Sequence, residues 1–197
     1  MKHFLKEWGF FILFIIVFLL TRWFIWFPVT VDGHSMDPTL ADREKLIVIK
    51  TAKIERFDMV VADETDGGTK KQIVKRVIGM PGDHIKYEND KLFVNGKETK
   101  ESYLEPYIAL YQKDKLQKTY AYSDYFQSLA KASEAFTQDS TGNASFEITV
   151  PEGHYFLLGD DRLVSKDSRN VGTFQKEAIV GEVKFRYWPI NKVGPLK

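Results

Sequence analysis

Three short stretches of this chain carry side chains that could do chemistry. Asp32 to Leu40 reads Asp-Gly-His-Ser-Met-Asp-Pro-Thr-Leu and places Ser35 in a turn-rich loop. Gln72 to Ile78 reads Gln-Ile-Val-Lys-Arg-Val-Ile and places Lys75 inside an apolar, β-branched run. Leu158 to Arg169 is a dense polar loop that follows an apolar strand directly. A serine hydroxyl becomes a nucleophile only with a base to take its proton. The imidazoles are His3, His34, His84 and His154. His3 precedes a long apolar block, and His34 is the immediate neighbour of Ser35, so in extended chain the two side chains point apart. Neither His84 nor His154 lies in a Ser-His-Asp arrangement, and scattered histidines make a poor metal site.

Lysine is the other base. Period two puts Ile73, Lys75 and Val77 on one strand face, a setting that strips water from the amine and favours its neutral form. Lowering a lysine from ~10.4 to near 7 costs about 4.6 kcal/mol, within what burial supplies. Plainer roles stand beside these: Ser35 and Pro38 as turn residues, Lys75 and Arg76 as a solvated basic pair at a strand edge, the polar loop as hydrogen-bonded scaffolding. In that loop Asp167 with Arg169 and Asp160 with Arg162 are the expected ion pairs, leaving Ser165 to orient another group. Asp160 and Asp161 are sequence neighbours, which suits them poorly to paired-carboxylate glycoside chemistry.

The elements that must position these residues belong to a chain of 197 residues with a net charge of +1, enough for one compact domain. Apolar residues at 44% and charged residues at 28% supply a core and argue against disorder. The absence of cysteine excludes disulfides, thiolate nucleophiles and Cys-ligated metal. Near-neutral charge removes the basic signal of a nucleic-acid binder. Strands are expected at Leu46–Lys50, Met59–Ala62, Gln72–Ile78, Ile85–Tyr87, Lys91–Val94, Phe146–Val150, Tyr155–Leu158 and Ile179–Trp188, with turns at Asp66-Gly67-Gly68, Glu88-Asn89-Asp90 and Pro151-Glu152-Gly153. This texture predicts an antiparallel β core with both halves in one sheet system. The polar, tyrosine-rich insert from Glu101 to Asn143 carries Tyr122, Tyr125, Phe126, Leu129, Ser133 and Phe136 at helical spacing, which predicts one short amphipathic helix packed on the sheet.

The stretch Trp8 to Phe27 is apolar but for Gly9, Thr21 and Arg22. Twenty helical residues span about 30 Å, the thickness of a bilayer's hydrocarbon core. Bulky residues at its end, Trp23, Phe24, Trp26 and Phe27, suit an interfacial belt and argue against a cleaved signal, which needs small residues there. The domain expectation is a tail at 1–7, a membrane anchor at 8–27 and a domain at 28–197. Lys2, Lys6 and Arg22 against Glu7 give the first 27 residues a net +2, which leaves the other 170 at −1. The positive bias at the start orients the N-terminus to the cytoplasm and the domain to the outer face of the plasma membrane. Eight extended residues from Phe27 reach at most about 28 Å, so Ser35 is held near the lipid.

Together the segments resemble a type I signal peptidase, a membrane-bound serine-lysine endopeptidase that removes signal peptides from exported preproteins. The resemblance rests on Ser35-Met36-Asp37-Pro38-Thr39-Leu40, on Val74-Lys75-Arg76-Val77-Ile78-Gly79-Met80-Pro81-Gly82-Asp83, and on Gly159-Asp160-Asp161-Arg162 with Ser165-Lys166-Asp167-Ser168-Arg169, in the family's order. Arg56 to Val61 and Arg186-Tyr187-Trp188-Pro189 extend it over nearly the whole chain outside the insert. It implies a mainly β fold, Ser35 as nucleophile, Lys75 as general base, Ser165 hydrogen-bonded to the lysine amine, and Asp167 and Arg169 bracing the site. It also implies shallow apolar pockets for small side chains, with Met36 as a wall, signal peptides and the lipid bilayer as partners, and no metal or cofactor. Three positions depart from the family: Gly33 where some members carry a serine that assists the oxyanion hole, Phe57 where glycine is usual, and Asp161 where asparagine is common. The alternative from another class is a membrane-tethered binding or scaffold domain in which Ser35 and Lys75 are incidental.

Overall fold

The computed structural model describes residues 2–196; the side chains of residues 2–7 and of Asp66 lie outside that description. Helix α1 (Lys2–Phe24) runs into β1 (Trp26–Thr30), β2 (Lys45–Ile49), β3 (Met59–Asp66), β4 (Thr69–Gly79), β5 (His84–Glu88), β6 (Lys91–Val94) and β7 (Lys97–Thr99). The insert holds α2 (Glu105–Asp114) and α3 (Asp124–Ala132). Then come β8 (Ser145–Thr149), β9 (His154–Leu158), α4 (Ser168–Val171), β10 (Phe174–Gln175), β11 (Ile179–Trp188) and β12 (Gly194–Pro195).

The strands pair antiparallel throughout, as expected, but in two sheets rather than one system. The larger runs β1-β2-β11-β3-β4-β9-β10 with β12 on β11; the smaller runs β7-β6-β5-β8. A turn separates them: the Asp83 carboxylate accepts from the Met80 N–H and pairs with Arg56 at 2.8 Å, redirecting the chain after β4. Ile78 and Leu158 then pack with Ile85, Tyr87 and Leu92 between the sheets. The hairpins follow local turn chemistry. Asn89 and Asp90, both at positive φ, close β5 onto β6, and Gly67-Gly68 close β3 onto β4.

The insert also differs from expectation. It has two helices, and its aromatic face does not lie on a sheet. Tyr107, Tyr111, Leu116, Tyr120 and Phe136 form a core of their own, with Phe126, Leu163 and Val164 packed against it. The insert is thereby seated on the polar loop after β9.

Helix α1 ends at Phe24, so Trp26 and Phe27 of the expected span 8–27 are strand residues, and residues 2–7 of the expected tail are helical. Among the described residues no helix is long and apolar enough to cross a membrane. From Phe10, which is 84% exposed, to Phe24, the large apolar side chains of α1 are exposed nearly all round.

Candidate active site

The loop between β1 and β2 carries Ser35 and is held at many points. The Gly33 N–H donates to Asp42 at 2.9 Å, Leu40 N–H to the Met36 carbonyl at 2.9 Å, and Arg43 N–H to the Val31 carbonyl at 2.9 Å. Gly33 sits at φ +87, a left-handed conformation that a side chain would strain. Met36 is 1% exposed and packs with Val31, Leu40, Leu46, Met59 and Val61. The residue expected as a pocket wall thus packs into the core next to Ser35 in the chain. From across the sheet, Arg186 donates to the Thr39 carbonyl at 3.1 Å and pairs with Glu44 at 2.7 Å.

Lys75 lies on β4 opposite Val60 of β3, with Ile73 and Val77 on its own face. It is 3% exposed and its Nζ donates to Ser35 Oγ at 2.7 Å. Burial drives its pKa down from 10.5 to about 8; the charges of Asp167 and Glu64 resist that fall and Arg169 adds to it. The solvated-edge role is excluded, and the hydroxyl and a readily deprotonated amine stand in contact. The histidines stand elsewhere: His34 pairs with Asp37 at 2.9 Å, His84 lies 3.6 Å from Glu147, and His154 contacts the Glu152 carbonyl.

Arg76, one residue on, is buried without losing its charge. Its Nε and Nη2 grip both oxygens of Asp160 at 2.9 and 2.6 Å, and its Nη1 donates to the Phe57 carbonyl. Thr39 Oγ1 donates to the same Asp160 at 2.6 Å, which ties the serine loop to β4 and to the loop after β9. The partner expected for Asp160 was Arg162; the structure corrects this. Arg162 instead turns toward the insert and pairs with Glu101, with Tyr87 alongside at 3.0 Å. The Phe57 departure is also visible in geometry: this residue holds φ +72, where glycine is favoured, and its ring meets Tyr103.

Asp167 and Arg169 pair as expected, at 2.8 Å. Asp167 caps α4 and accepts from the Gly159 N–H at 3.0 Å. Burial pushes its carboxyl up, but the Arg169 guanidinium and the Gly159 N–H outweigh that and hold it below the usual range. Gly159 is obligatory: a Cβ there would fall 2.2 Å from Ser165 Oγ and 2.4 Å from the Ser35 carbonyl oxygen. The Ser165 hydroxyl therefore lies beside the Ser35 turn, yet it is buried with no hydrogen-bond partner, so the bond to the lysine amine that the resemblance implied is not made. A groove of about 260 Å³ is lined by Pro28, Val29 and Thr30 of β1, the strand before Ser35, by Gln72, Ile73 and Val74 of β4, the strand that carries Lys75, and by Val61. Sequence reasoning missed Thr39, Asp160's true partner and the insert's Tyr120, whose hydroxyl donates to Asp161 at 2.6 Å.

Residues 5–188 match the family described as signal peptidase, peptidase S26. A signal peptidase I of Streptococcus pneumoniae (strain ATCC BAA-255 / R6) is 57% identical over 98% of this chain and 97% of its own. A signal peptidase IB of Staphylococcus aureus (strain Mu50 / ATCC 700699) is 38% identical over 98% of this chain and 94% of its own. Among solved structures, a signal peptidase I from Enterococcus faecalis V583 aligns with 28% identity and a TM-score of 0.46, covering 66% of this chain and 97% of that one.

Proposed function

The chain belongs to the signal peptidase family, peptidase S26, and is an enzyme that removes signal peptides from preproteins; from that premise we propose that it cleaves with Ser35 as nucleophile and Lys75 as general base. One observation carries this reading: the buried Lys75 Nζ stands 2.7 Å from Ser35 Oγ. Neutral Lys75 takes the hydroxyl proton as Oγ bonds to the scissile carbonyl carbon. The resulting ammonium returns that proton to the leaving amine as the C–N bond breaks. Water, deprotonated by the same amine, then hydrolyses the acyl-serine and restores the hydroxyl. The Ser35 N–H serves as an oxyanion donor; Gly33 brings no side chain to assist it.

Ser165 supports this cycle as an acceptor in waiting. Its unpartnered, buried hydroxyl suits the moment when Lys75 carries a positive charge and needs a further acceptor. Asp167 and Arg169 hold the Gly159 turn against Ser35. An extended preprotein segment fits the groove between β1 and β4, adding to the free edge of β1.

The membrane belongs to the same reading. Exposed apolar side chains on nearly every side of α1 find no cover in the protein, and lipid covers a helix of that kind. Lys50 Nζ donates to the Trp23 carbonyl at 2.7 Å and lies over the Phe27 ring, which fixes the first strand at the end of that helix. With Lys2 and Lys6 at its start, the helix holds the domain on the outer face of the membrane, where signal peptides present their cleavage regions.

The test is cleavage by detergent-solubilised full-length protein of a preprotein with small residues at the first and third positions before the cut, followed by sequencing of the new N-terminus. Cleavage by the parent and none by Ser35→Ala or Lys75→Ala is the expected result. Cleavage retained in either variant overturns the dyad.

A further inference from the structure

The insert is the part of the chain to which the dyad assigns nothing, yet it reaches the nucleophile's turn through one buried link. Asp161 donates its backbone N–H to the Ser35 carbonyl at 3.2 Å, so the position of this residue sets the position of Ser35. Its side chain points the other way, into the insert, where the hydroxyl of the fully buried Tyr120 donates to Oδ1 at 2.6 Å. Oδ2 is buried and has no partner. Around this carboxyl stand Tyr107 of α2, Tyr122, and Asp37 of the serine loop, itself bonded to His34. Burial pushes Asp161 up to about 7 and the Asp37 charge adds to that, against the bond from Tyr120. A carboxyl raised in this way is easily protonated, and Oδ2 is its oxygen without a partner.

We propose that Tyr120 and Asp161 are a positioning pair for Ser35: the insert, through a single phenol–carboxyl hydrogen bond, fixes the peptide unit that holds the nucleophile's turn in place. The pair touches no reacting atom, and its role rests on the assignment of Ser35 and Lys75 above. The rings of Tyr122 and Phe126 pack on His34 at 5.0 and 5.8 Å between centroids, so the insert presses on the residue before Ser35 as well. Without the phenol bond the Asp161 side chain loses its tie to the insert, while Arg162 on Glu101 and Arg169 on the Gln138 carbonyl keep the rest of the loop in place; the Asp161 peptide alone shifts, and Ser35 loses register with Lys75.

Steady-state cleavage of a preprotein by full-length Tyr120→Phe, Asp161→Ala, Asp161→Asn and the double Tyr120→Phe/Asp161→Ala tests this, with thermal unfolding run on each. Tyr120→Phe and Asp161→Ala are expected to lower kcat about 5- to 10-fold with KM within about 2-fold. Asp161→Asn, which still accepts from the phenol and mimics the protonated acid, retains kcat. The double variant is no worse than the poorer single one, because both remove one link. The inflection of kcat/KM near 8 stays in place in all four, since Lys75 is untouched. Folded Tyr120→Phe with parental kcat overturns the pair, as does strict additivity or an Asp161→Asn loss equal to that of alanine. If Asp161→Ala does not fold, Tyr120→Phe, which removes a single oxygen, decides alone. Ser35→Ala run in parallel separates the readings, because activity in that variant sinks the dyad and not the pair.

Discussion

Two cations, Lys75 and Arg76, are neighbours on β4 and face opposite sides of the sheet. Both are buried, and the sheet treats them in opposite ways. Arg76 meets both oxygens of Asp160 and keeps a charge it cannot shed. Lys75 meets a neutral hydroxyl in direct contact, with its nearest carboxylates acting only through space, and burial lowers its pKa to about 8. A strand alternates its faces, so one register places a structural ion pair and the proposed base at consecutive residues. What separates scaffold from chemistry here is the partner across each face, a carboxylate or a hydroxyl, rather than burial itself.

The contrast breaks most severely if the two cations are made alike. Lys75→Arg puts a guanidinium, which does not deprotonate, in place of the proposed base, and the preprotein cleavage rate is expected to fall about 10²- to 10⁴-fold or more. On the other face, Asp160→Ala strands a buried guanidinium and should cost about 3–5 kcal/mol in chemical denaturation. Unchanged stability would mean that water or another group replaces the carboxylate.

How much of this contrast could be read before the fold was known depends on range. Ile73, Lys75 and Val77 share a face by period two alone, so the desolvated amine was legible locally. So were the β-branched strands and the Asn89-Asp90 hairpin. Asp160 was not: Arg162 stands two residues away and Arg76 stands 84 away, and only topology chooses between them. Strand β1 was hidden because Trp26 and Phe27 continue the apolar helix without a break in composition. Helix α2 buries only Tyr107 and Tyr111, too little pattern to announce it. The two-sheet arrangement turns on Asp83 and Arg56, paired across 27 residues.

A subtler variant sharpens the comparison by sign. Lys75's folded pKa lies below its ordinary 10.5, so the unfolded chain holds the proton more tightly and the buried site costs stability at neutral pH. Lys75→Met should therefore raise stability by up to about 3 kcal/mol while ending cleavage. That gain is full below about pH 8 and fades as the pH approaches 10.5. Thermal unfolding at pH 7 and pH 10 measures it, and a gain of equal size at both would refute the desolvation account. The smallest effect belongs to Ser165→Ala. Its hydroxyl makes no bond to lose, so stability should move by less than about 0.5 kcal/mol. The rate should drop about 10-fold if the hydroxyl receives the lysine's charge during turnover.

The most direct trial of the central claim is the pH dependence of kcat/KM for preprotein cleavage by the full-length protein, which reports ionisations of the free enzyme. The account predicts a rate that climbs with pH through an inflection near 8, as the buried Lys75 amine gives up its proton. A pH-independent rate, or an inflection at about 6.5 in the range of an ordinary histidine, would contradict it.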